Sequence, residues 1–326
     1  MSKKRFCVIC ADSKPISDFC DEGDHIIPES MGNTQYKLYC VCDKCNHTLG
    51  SRVEQKLATS FISKLFREAT SIKGKQGGAG VPSSLEGLYG FDKVGNKYTI
   101  HQYGNGKYYA KLISAFKGSL PDTNDERYSV DLDDGTSGSF VLKLDLLLEN
   151  STEPLSIDVY INSSDVIDFS DVFCNVAILK IAYGFAIYWF GVEYCEDSVA
   201  NEIRSVLKSF LDMSSESKQR TTDKAYEVID SYLRMGDDLY QSMSAFNAFY
   251  KGISGGSYVH FVTAFALDGK TNIVVALDGK TPLKVTVGDE KWMECSNTRC
   301  EAVVSDGKLI GGDALSQNDS FFHVKL

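Results

Sequence analysis

Two Cys-x-x-Cys pairs near the start of the chain constrain its fold more than any other feature of the sequence. They are Cys7-Val-Ile-Cys10 and Cys42-Asp-Lys-Cys45. Each pair forms a tight turn that presents two thiolates from one side, and four thiolates on two such turns suit a tetrahedral zinc ion. We therefore predict a structural zinc site within the first fifty residues. Disulfide pairing is the alternative, and Cys40 could replace Cys42 as a ligand.

The charge of the chain is unevenly distributed. The net charge is −10 over 326 residues, which taken alone argues against nucleic-acid binding. Residues 37–75, however, contain 8 basic residues and 3 acidic ones. Because phosphate binding depends on the local field, this stretch could bind nucleic acid, although the solvated face of a helix is the simpler interpretation.

The N-terminus and the apolar segments indicate where the protein resides. The first residues, Met-Ser-Lys-Lys-Arg-Phe-Cys, contain no apolar signal core. The longest apolar run, from Val176 to Val192, is interrupted by Lys180, which favours a buried helix over a membrane span. We expect a cytoplasmic protein with no membrane partner, in which cysteines bind metal or stay reduced.

The order of predicted elements indicates an α+β protein. A helical pattern runs from Ser51 to Ser71, and the glycine-rich stretch 73–84 reads as a linker. We predict a small zinc-stapled module over residues 1–72 and a larger mixed α+β domain over 85–326. Within that domain, strands are predicted over 85–165, helices over Phe173–Phe190, Ser198–Met213 and Lys224–Leu233, and strands over Tyr258–Leu267, Thr271–Leu277 and Leu283–Val287.

An acidic and a basic side chain stand together between the two cysteine pairs. The stretch is Asp24-His25-Ile26-Ile27-Pro28, and Asn46-His47 directly follows the second pair. Neighbouring residues of a strand point to opposite faces, so one side chain can hold a metal while the other faces substrate. Asn46 could instead be the N-cap of the following helix. Glu54 on that helix is interpreted as a surface carboxylate rather than a supporting acid.

The order of these motifs over residues 5–57 resembles the HNH endonucleases, specifically the zinc-knuckled ββα-metal group. The resemblance implies that His25 is the general base that activates water, and that Asp24 and Asn46 bind one divalent cation, Mg²⁺ or Mn²⁺. It also implies that the four cysteines hold structural zinc. Asn33 is the nearest match to the asparagine that steadies the base, with Gln35 as an alternative. Asn46 stands where the family often has histidine, so the third ligand of the catalytic metal stays open.

These residue types suit the hydrolysis of a phosphodiester. An imidazole with a pKa near neutrality can accept a proton from water, and a hard cation with open positions can neutralise charge on the leaving oxygen. A zinc closed by four thiolates cannot do this, so two metals with separate roles are implied. Lys44, Arg52 and Lys56 are predicted to bind phosphates without sequence preference.

The predicted function is therefore a metal-dependent endonuclease that acts on nucleic acid, DNA before RNA. The alternative is a zinc-ribbon module that binds nucleic acid or protein without catalysis, which would have no need of the Asp24-His25 pair. The acidic residues 85–326 are expected to decide when or where the nuclease acts, through a regulatory ligand, a partner protein or a homo-oligomer. By analogy with the family, this would serve bacterial defence against phage or foreign DNA.

Overall fold

The structure is a computed structural model of an α+β protein. It describes residues 3–32, 36–60, 63–64, 67, 85–103, 108–115, 139–149, 154–162, 171–235, 259–277, 281–294 and 300–304. The predicted linker at residues 73–84 lies outside these ranges.

The N-terminal module consists of two small hairpins followed by a helical segment. The strands are β1 (Lys4–Phe6), β2 (Ser13–Pro15), β3 (Asp24–His25) and β4 (Lys37–Leu38), with β1 antiparallel to β2 and β3 antiparallel to β4. Helix α1 (Asp43–Leu49) continues through a π-helical turn (Gly50–Glu54) into α2 (Gln55–Thr59). This is a ββα arrangement in which the second strand pair lies between the two cysteine turns.

The helical segment begins earlier than the sequence predicted. It starts at Asp43, inside the second cysteine pair, because Cys42 takes an extended N-cap conformation and its carbonyl accepts a hydrogen bond from the Asn46 N–H. The buried side chains along it are four residues apart, as one helix face requires: Cys45, Leu49, Val53 and Leu57. The prediction from Ser51 onward missed the first turns because their apolar face is formed by a cysteine and a single leucine.

Five strands form a small closed barrel: β5 (Tyr89–Phe91), β6 (Lys97–Gln102), β7 (Tyr108–Ser114), β8 (Ser139–Leu148) and β9 (Pro154–Asn162). All neighbours are antiparallel except β7 and β8, which are parallel. β6 and β7 form an antiparallel pair within residues 85–165, where strands were predicted. Gly90 allows the barrel to close, since a Cβ there would lie 3.1 Å from Val159 Cγ2.

The most apolar helix in the described ranges is α3 (Val172–Phe190). Its N-cap is Asp171, whose side chain accepts a hydrogen bond from the Phe173 N–H. It is buried on nearly all sides, in agreement with the prediction of a buried helix. By length and hydropathy it could cross a membrane, but 89% of the relevant window is buried inside the protein, as in a core helix.

Two further helices and an antiparallel sheet surround α3. Helices α4 (Ser198–Leu211) and α5 (Lys218–Tyr232) were predicted, and so were the central strands of the sheet. The sheet has the order β10-β13-β12-β11-β14, and the short helix α6 (Lys291–Glu294) follows β13. The strands are β10 (Leu233–Met235), β11 (Val259–Leu267), β12 (Lys270–Leu277), β13 (Thr281–Asp289) and β14 (Cys300–Val304).

The turn between β11 and β12 is formed by Leu267-Asp-Gly-Lys270, a tetrapeptide that occurs a second time at 277–280. Asp268 and Gly269 both have positive φ, 53° and 71°, as the two-residue turn that matches strand twist requires. The second copy, at 277–280, falls partly outside the described residues.

Hydrophobic contacts divide the described residues into two cores. One core joins the N-terminal module to α3, α4, α5 and the C-terminal sheet, with Ile26 and Leu57 beside Phe185 and Val275 in the same cluster. The other lies inside the barrel. The predicted domain boundaries at 72 and 85 stay a prediction. The N-terminal module buries its apolar side chains in one core with those of α3, α4, α5 and the C-terminal sheet.

His260 on β11 connects the C-terminal sheet to the N-terminal module. Its Nε2 lies 2.7 Å from the carbonyl oxygen of Met31, just beyond the Asp24–Pro28 stretch. Burial lowers the pKa of His260 from its ordinary value of 6.5 to about 4. No short sequence motif marks this histidine, because the carbonyl that it contacts is 229 residues away in sequence.

Gly184→Ala is expected to destabilise the protein by about 1 kcal/mol, because overpacking costs about 1–3 kcal/mol while helix propensity returns at most about 1. A Cβ at Gly184 would lie 2.8 Å from Ile26 Cγ2. Gly50→Ala is the matched control, since its Cβ would meet only Glu54 Oε2 at 3.9 Å. Urea unfolding measures both. Equal stabilisation by the two changes would contradict the close contact of Gly184 with Ile26.

Stability should fall in mild acid partly through His260. Below about pH 6.5 this histidine takes up a proton in the unfolded chain, whereas in the folded protein it stays neutral down to about pH 4, so the free energy of unfolding decreases over that window. His260→Gln, whose amide can still donate to Met31, should lose about 2 kcal/mol less than the wild type between pH 7 and pH 4.5. Identical losses in urea titrations would show that His260 does not contribute.

Candidate metal centre and active site

The four predicted zinc ligands lie together in the fold. The Sγ atoms of Cys7, Cys10, Cys42 and Cys45 are within 4.8 Å of one another, and all four residues are buried. Cys7 and Cys45 are separated by 3.9 Å between sulfurs. Tetrahedral zinc with Zn–S bonds of about 2.3 Å places its sulfurs about 3.8 Å apart. The donor set therefore fits zinc. Cys40, considered as an alternative to Cys42, is outside the cluster.

Backbone and side-chain contacts hold the two cysteine turns in register. The Cys42 N–H donates to Cys7 Sγ at 3.3 Å, and the Val8 N–H donates to the Cys40 carbonyl. A hydrogen bond from Cys45 lowers the pKa of Cys7 to about 4, and the same contact raises the pKa of Cys45. Lys14 Nζ lies 3.3 Å from Cys42 Sγ. The contacts therefore favour a thiolate at Cys7 and a neutral thiol at Cys45, and a zinc ion, when bound, would supply the positive charge that a second thiolate beside Cys7 needs.

The strand between the cysteine turns places Asp24 and His25 on opposite faces. Asp24 has a side-chain exposure of 3%, whereas His25 is half-buried. The next residue, Ile26, is fully buried, and its N–H donates to the Tyr36 carbonyl, which extends the pairing of β3 and β4. The predicted division of faces is therefore present, with the carboxylate inside and the imidazole toward the surface.

Asn46 lies one turn into α1 and is half-buried. It is not the N-cap that the sequence analysis considered, because Cys42 occupies that place. Asn33 and Gln35 lie outside the described residues.

The Asp24 carboxylate is held by a lysine from α3. Lys180 Nζ is 3.3 Å from Asp24 Oδ1 and 3.0 Å from Oδ2, and it donates to the His25 carbonyl at 2.8 Å. The same ammonium is 2.5 Å from Glu54 Oε1. Glu54 is 14% exposed, so its interpretation as a surface carboxylate is wrong. Glu54 directly follows Val53, one of the buried residues of the helical segment that carries Asn46. Its side chain therefore lies at the edge of the buried face, where it contacts the ammonium of Lys180.

Charge within this cluster is unevenly compensated. Burial raises the pKa of Glu54, with Lys180 opposing the shift and Asp24 adding to it. Burial alone would lower the pKa of Lys180, but Asp24 and Glu54 outweigh it and the pKa rises. Lys180 is therefore a charged ammonium that lies between the carboxyl groups of Asp24 and Glu54.

A divalent cation does not fit beside Asp24 in this arrangement. Magnesium and manganese sites of nucleases keep several waters and open positions, whereas Asp24 is buried and faces an ammonium. With Lys180 in this position, Asp24 has no room for a catalytic cation.

The predicted phosphate-binding side chains separate into two groups. Lys44 and Lys56 are exposed on the helical segment. Arg52 has a different role from the predicted one, since its Nη1 donates to the carbonyls of Phe210, Leu211 and Met213 at 2.8, 3.1 and 2.9 Å. It caps the C-terminal end of α4, where unpaired carbonyls attract a cation.

Sequence reasoning missed Lys180 and Glu54 as members of the site. A signal was present, because a single lysine inside a long apolar run must find carboxylates when it is buried. The sequence did not indicate which carboxylates these would be.

Residues 7–62 match the family model described as HNH endonuclease. The match covers the cysteine cluster, the Asp24-His25 strand and the helix with Asn46, and it leaves out everything after residue 62. Neither a curated protein nor a solved structure matches the chain. The family match and the cysteine cluster together indicate nuclease activity with metal in this N-terminal module.

Metal analysis of the purified full chain is expected to find about one zinc per molecule, and Cys7→Ser should abolish it while lowering the melting temperature, because the bound ion contributes folding free energy. Cys20→Ser is the matched control, since Cys20 is only half-buried and outside the cluster. Full zinc content in Cys7→Ser, or its loss in Cys20→Ser, would contradict the assignment.

Proposed function

We propose that the chain is an HNH-type endonuclease that hydrolyses phosphodiester bonds of nucleic acid, with DNA rather than RNA as the expected substrate. The observation that carries the proposal is the position of His25, half-buried on the strand between two cysteine turns, within the region that matches the HNH endonuclease family model. In this proposal His25 is the general base, and Asn33 is the candidate to steady it.

The reaction assigned to His25 is proton transfer from water. The imidazole nitrogen accepts the proton, the water oxygen forms a bond to phosphorus, and the bond from phosphorus to the 3′ oxygen breaks. The strand suits this role, because the backbone carbonyl of His25 is fixed by Lys180 at 2.8 Å while the ring lies on the other face. Lys44 and Lys56 are exposed and can lie along phosphates without reading bases.

Asp24 and Asn46 are the proposed ligands of Mg²⁺ or Mn²⁺. They could bind such a cation only in a state in which Lys180 no longer contacts Asp24. When bound, such a cation would supply charge neutralisation for the leaving oxygen. We also infer that the protein is cytoplasmic and serves in bacterial defence. The residues after 85 would regulate the nuclease by binding a ligand, a partner protein or a second copy of the chain.

A second candidate function is a zinc-ribbon module that binds nucleic acid or protein and does not cut. The observation that favours it is the ion pair of Asp24 with Lys180, because a carboxylate used in this way has a structural role and no need of a second metal. His25 would then be a surface histidine with no chemical duty.

His25→Ala is expected to reduce nicking of supercoiled plasmid by about 10²–10⁴-fold at saturating Mn²⁺, the usual contribution of a general base. His101→Ala is the matched control, because His101 also lies half-buried at the surface but belongs to the barrel, where it contacts Glu86. Zinc content and melting temperature are measured for both variants.

Equal nicking by the wild type and His25→Ala would remove His25 from the reaction. Tight binding of DNA without any nicking, with Mg²⁺ or Mn²⁺ present, would favour the zinc-ribbon function.

A further inference from the structure

The outer face of the β3–β4 hairpin carries side chains that the reaction assigned to His25 does not use. His25 is paired with Lys37 across the two strands, and Asp24 is paired with Leu38. Directly opposed residues of an antiparallel pair point to the same face, with Cβ atoms about 4.5–5.5 Å apart. Asp24 and Leu38 are buried, so Lys37 lies beside His25 on the face that points away from α3.

Tyr39 extends this outer face beyond the end of β4. It follows Lys37 by two residues, and 54% of its surface is exposed. Its ring lies over Gly23, where a Cβ would be 3.2 Å from Tyr39 Cδ1 and Cε1. Gly23 precedes His25 by two residues, so Tyr39 and His25 are diagonal neighbours, which in an antiparallel pair are about 7–8 Å apart.

Contacts with Arg5 and Gly23 hold Tyr39 in place. Arg5 Nη1 donates a hydrogen bond to the Tyr39 carbonyl at 2.8 Å, and the guanidinium lies over Phe19, 5.4 Å from the ring centroid. Gly23 has a φ of 73°, which residues with a Cβ rarely adopt, and its missing side chain leaves room for the ring. A flat aromatic ring is therefore held at one place on the surface, with about half of its area open to solvent.

We propose that Lys37 and Tyr39 form, next to His25, a binding site for a nucleotide whose base is unpaired, so that single-stranded nucleic acid is the preferred substrate. The base stacks on the ring of Tyr39, and the ammonium of Lys37 binds the adjoining phosphate beside His25. The part of this inference that concerns cutting rests on the proposed function, whereas the binding of single strands does not.

The chemistry of these two side chains favours a single strand over a duplex. Every base has a flat face, and stacking of one base on an aromatic side chain contributes about 5–150-fold to affinity. In a duplex the faces of the base are already stacked on its neighbours, and extruding it costs free energy. A lysine binds phosphate as a point charge, so this site reads no base sequence.

A purely structural role for Tyr39 predicts a different outcome. If the ring serves only to cover Gly23, its removal lowers the melting temperature and leaves the affinity for nucleic acid unchanged. If the ring stacks on a base, a variant that keeps an aromatic ring retains the affinity and a variant without one loses it, at equal melting temperature and zinc content.

The test measures binding of a short fluorescent single-stranded DNA by anisotropy. The protein is the zinc-loaded full chain with His25→Ala and no added divalent cation, so that the probe stays intact. Adding Tyr39→Ala should weaken binding of the single strand by about 5–150-fold and leave binding of the corresponding duplex nearly unchanged. Adding Tyr39→Phe should leave both affinities unchanged.

Tyr89→Ala is the matched control for the tyrosine. Tyr89 is 52% exposed and has Lys97 Nζ 4.3 Å from its ring centroid, but it lies on the barrel. This control should bind the single strand as its parent does.

Lys37 is tested through the salt dependence of binding. Lys37→Gln should weaken binding of the single strand and reduce the slope of log affinity against log salt by about 0.7, the value for one phosphate contact. Lys208→Gln, which changes an exposed lysine on α4, should leave the slope unchanged. An unchanged slope in Lys37→Gln would overturn the phosphate contact.

A second variant decides if Tyr39→Ala does not fold. Tyr39→Leu still covers Gly23 but offers no flat ring, so it should lose affinity for the single strand as Tyr39→Ala does. Unchanged affinity in either folded variant overturns the proposal. Equal losses of affinity for single strand and duplex also overturn it, because the ring would then not stack on an unpaired base.

Cleavage assays on chains that retain His25 distinguish this inference from the proposed function. The wild type should cut a DNA duplex with an internal unpaired stretch at least about 10-fold faster than the fully paired duplex, and Tyr39→Ala should lose this preference. Binding of single strands that depends on Tyr39, without any cutting, would leave the binding site standing and remove the nuclease. Cutting that depends on His25, with no effect of Tyr39→Ala on binding, would leave the nuclease standing and remove the binding site.

Discussion

The packing of helix α3 against the N-terminal module is the constraint on which the rest of the structure depends. Three residues on one side of α3 contact that module in three chemically different ways. Lys180 pairs with Asp24 and Glu54, the Tyr183 hydroxyl donates to the Val8 carbonyl at 2.8 Å, and Gly184 allows Ile26 to approach the helix backbone. The spacing of three and four residues is that of a single helix face. A helix buried on all sides can stay in place only while each of its faces has such a partner.

This packing explains how so small a module can fix the position of the strand that carries Asp24 and His25. A hairpin with only two residues in each strand, such as β3 and β4, has little stability of its own. The cysteine turns on either side of it come together in a cluster that suits zinc, α3 covers its inner face, and His260 contacts the carbonyl of Met31 just beyond it. The position of His25 is therefore set by elements within the family match and by elements that follow it, including a strand more than two hundred residues away in sequence.

The sequence was sufficient to predict the local parts of this site and insufficient for the contacts between distant parts. The cysteine turns, the opposite faces of Asp24 and His25 and the buried character of α3 each follow from spacing within a short segment. The role of Arg52 depends on where α4 ends, since its guanidinium caps the carbonyls of Phe210 and Leu211. A basic residue on a helix has the same appearance in sequence whether it meets a phosphate or another helix, so only the tertiary structure separates the two.

The buried Lys180 affects both the stability of the core and the geometry around His25. Burying an ammonium and two carboxylates costs desolvation free energy, and an apolar side chain of similar size can replace such a cluster without loss of stability in other proteins. A core that needed only stability could therefore have used leucine at position 180 and apolar residues at 24 and 54. Retaining three ionisable groups around the backbone of His25 makes sense if they fix one arrangement of α3, β3 and the helical segment. The ammonium of Lys180 needs oxygen atoms at set positions on β3 and on that segment, whereas an apolar side chain could pack there in several ways.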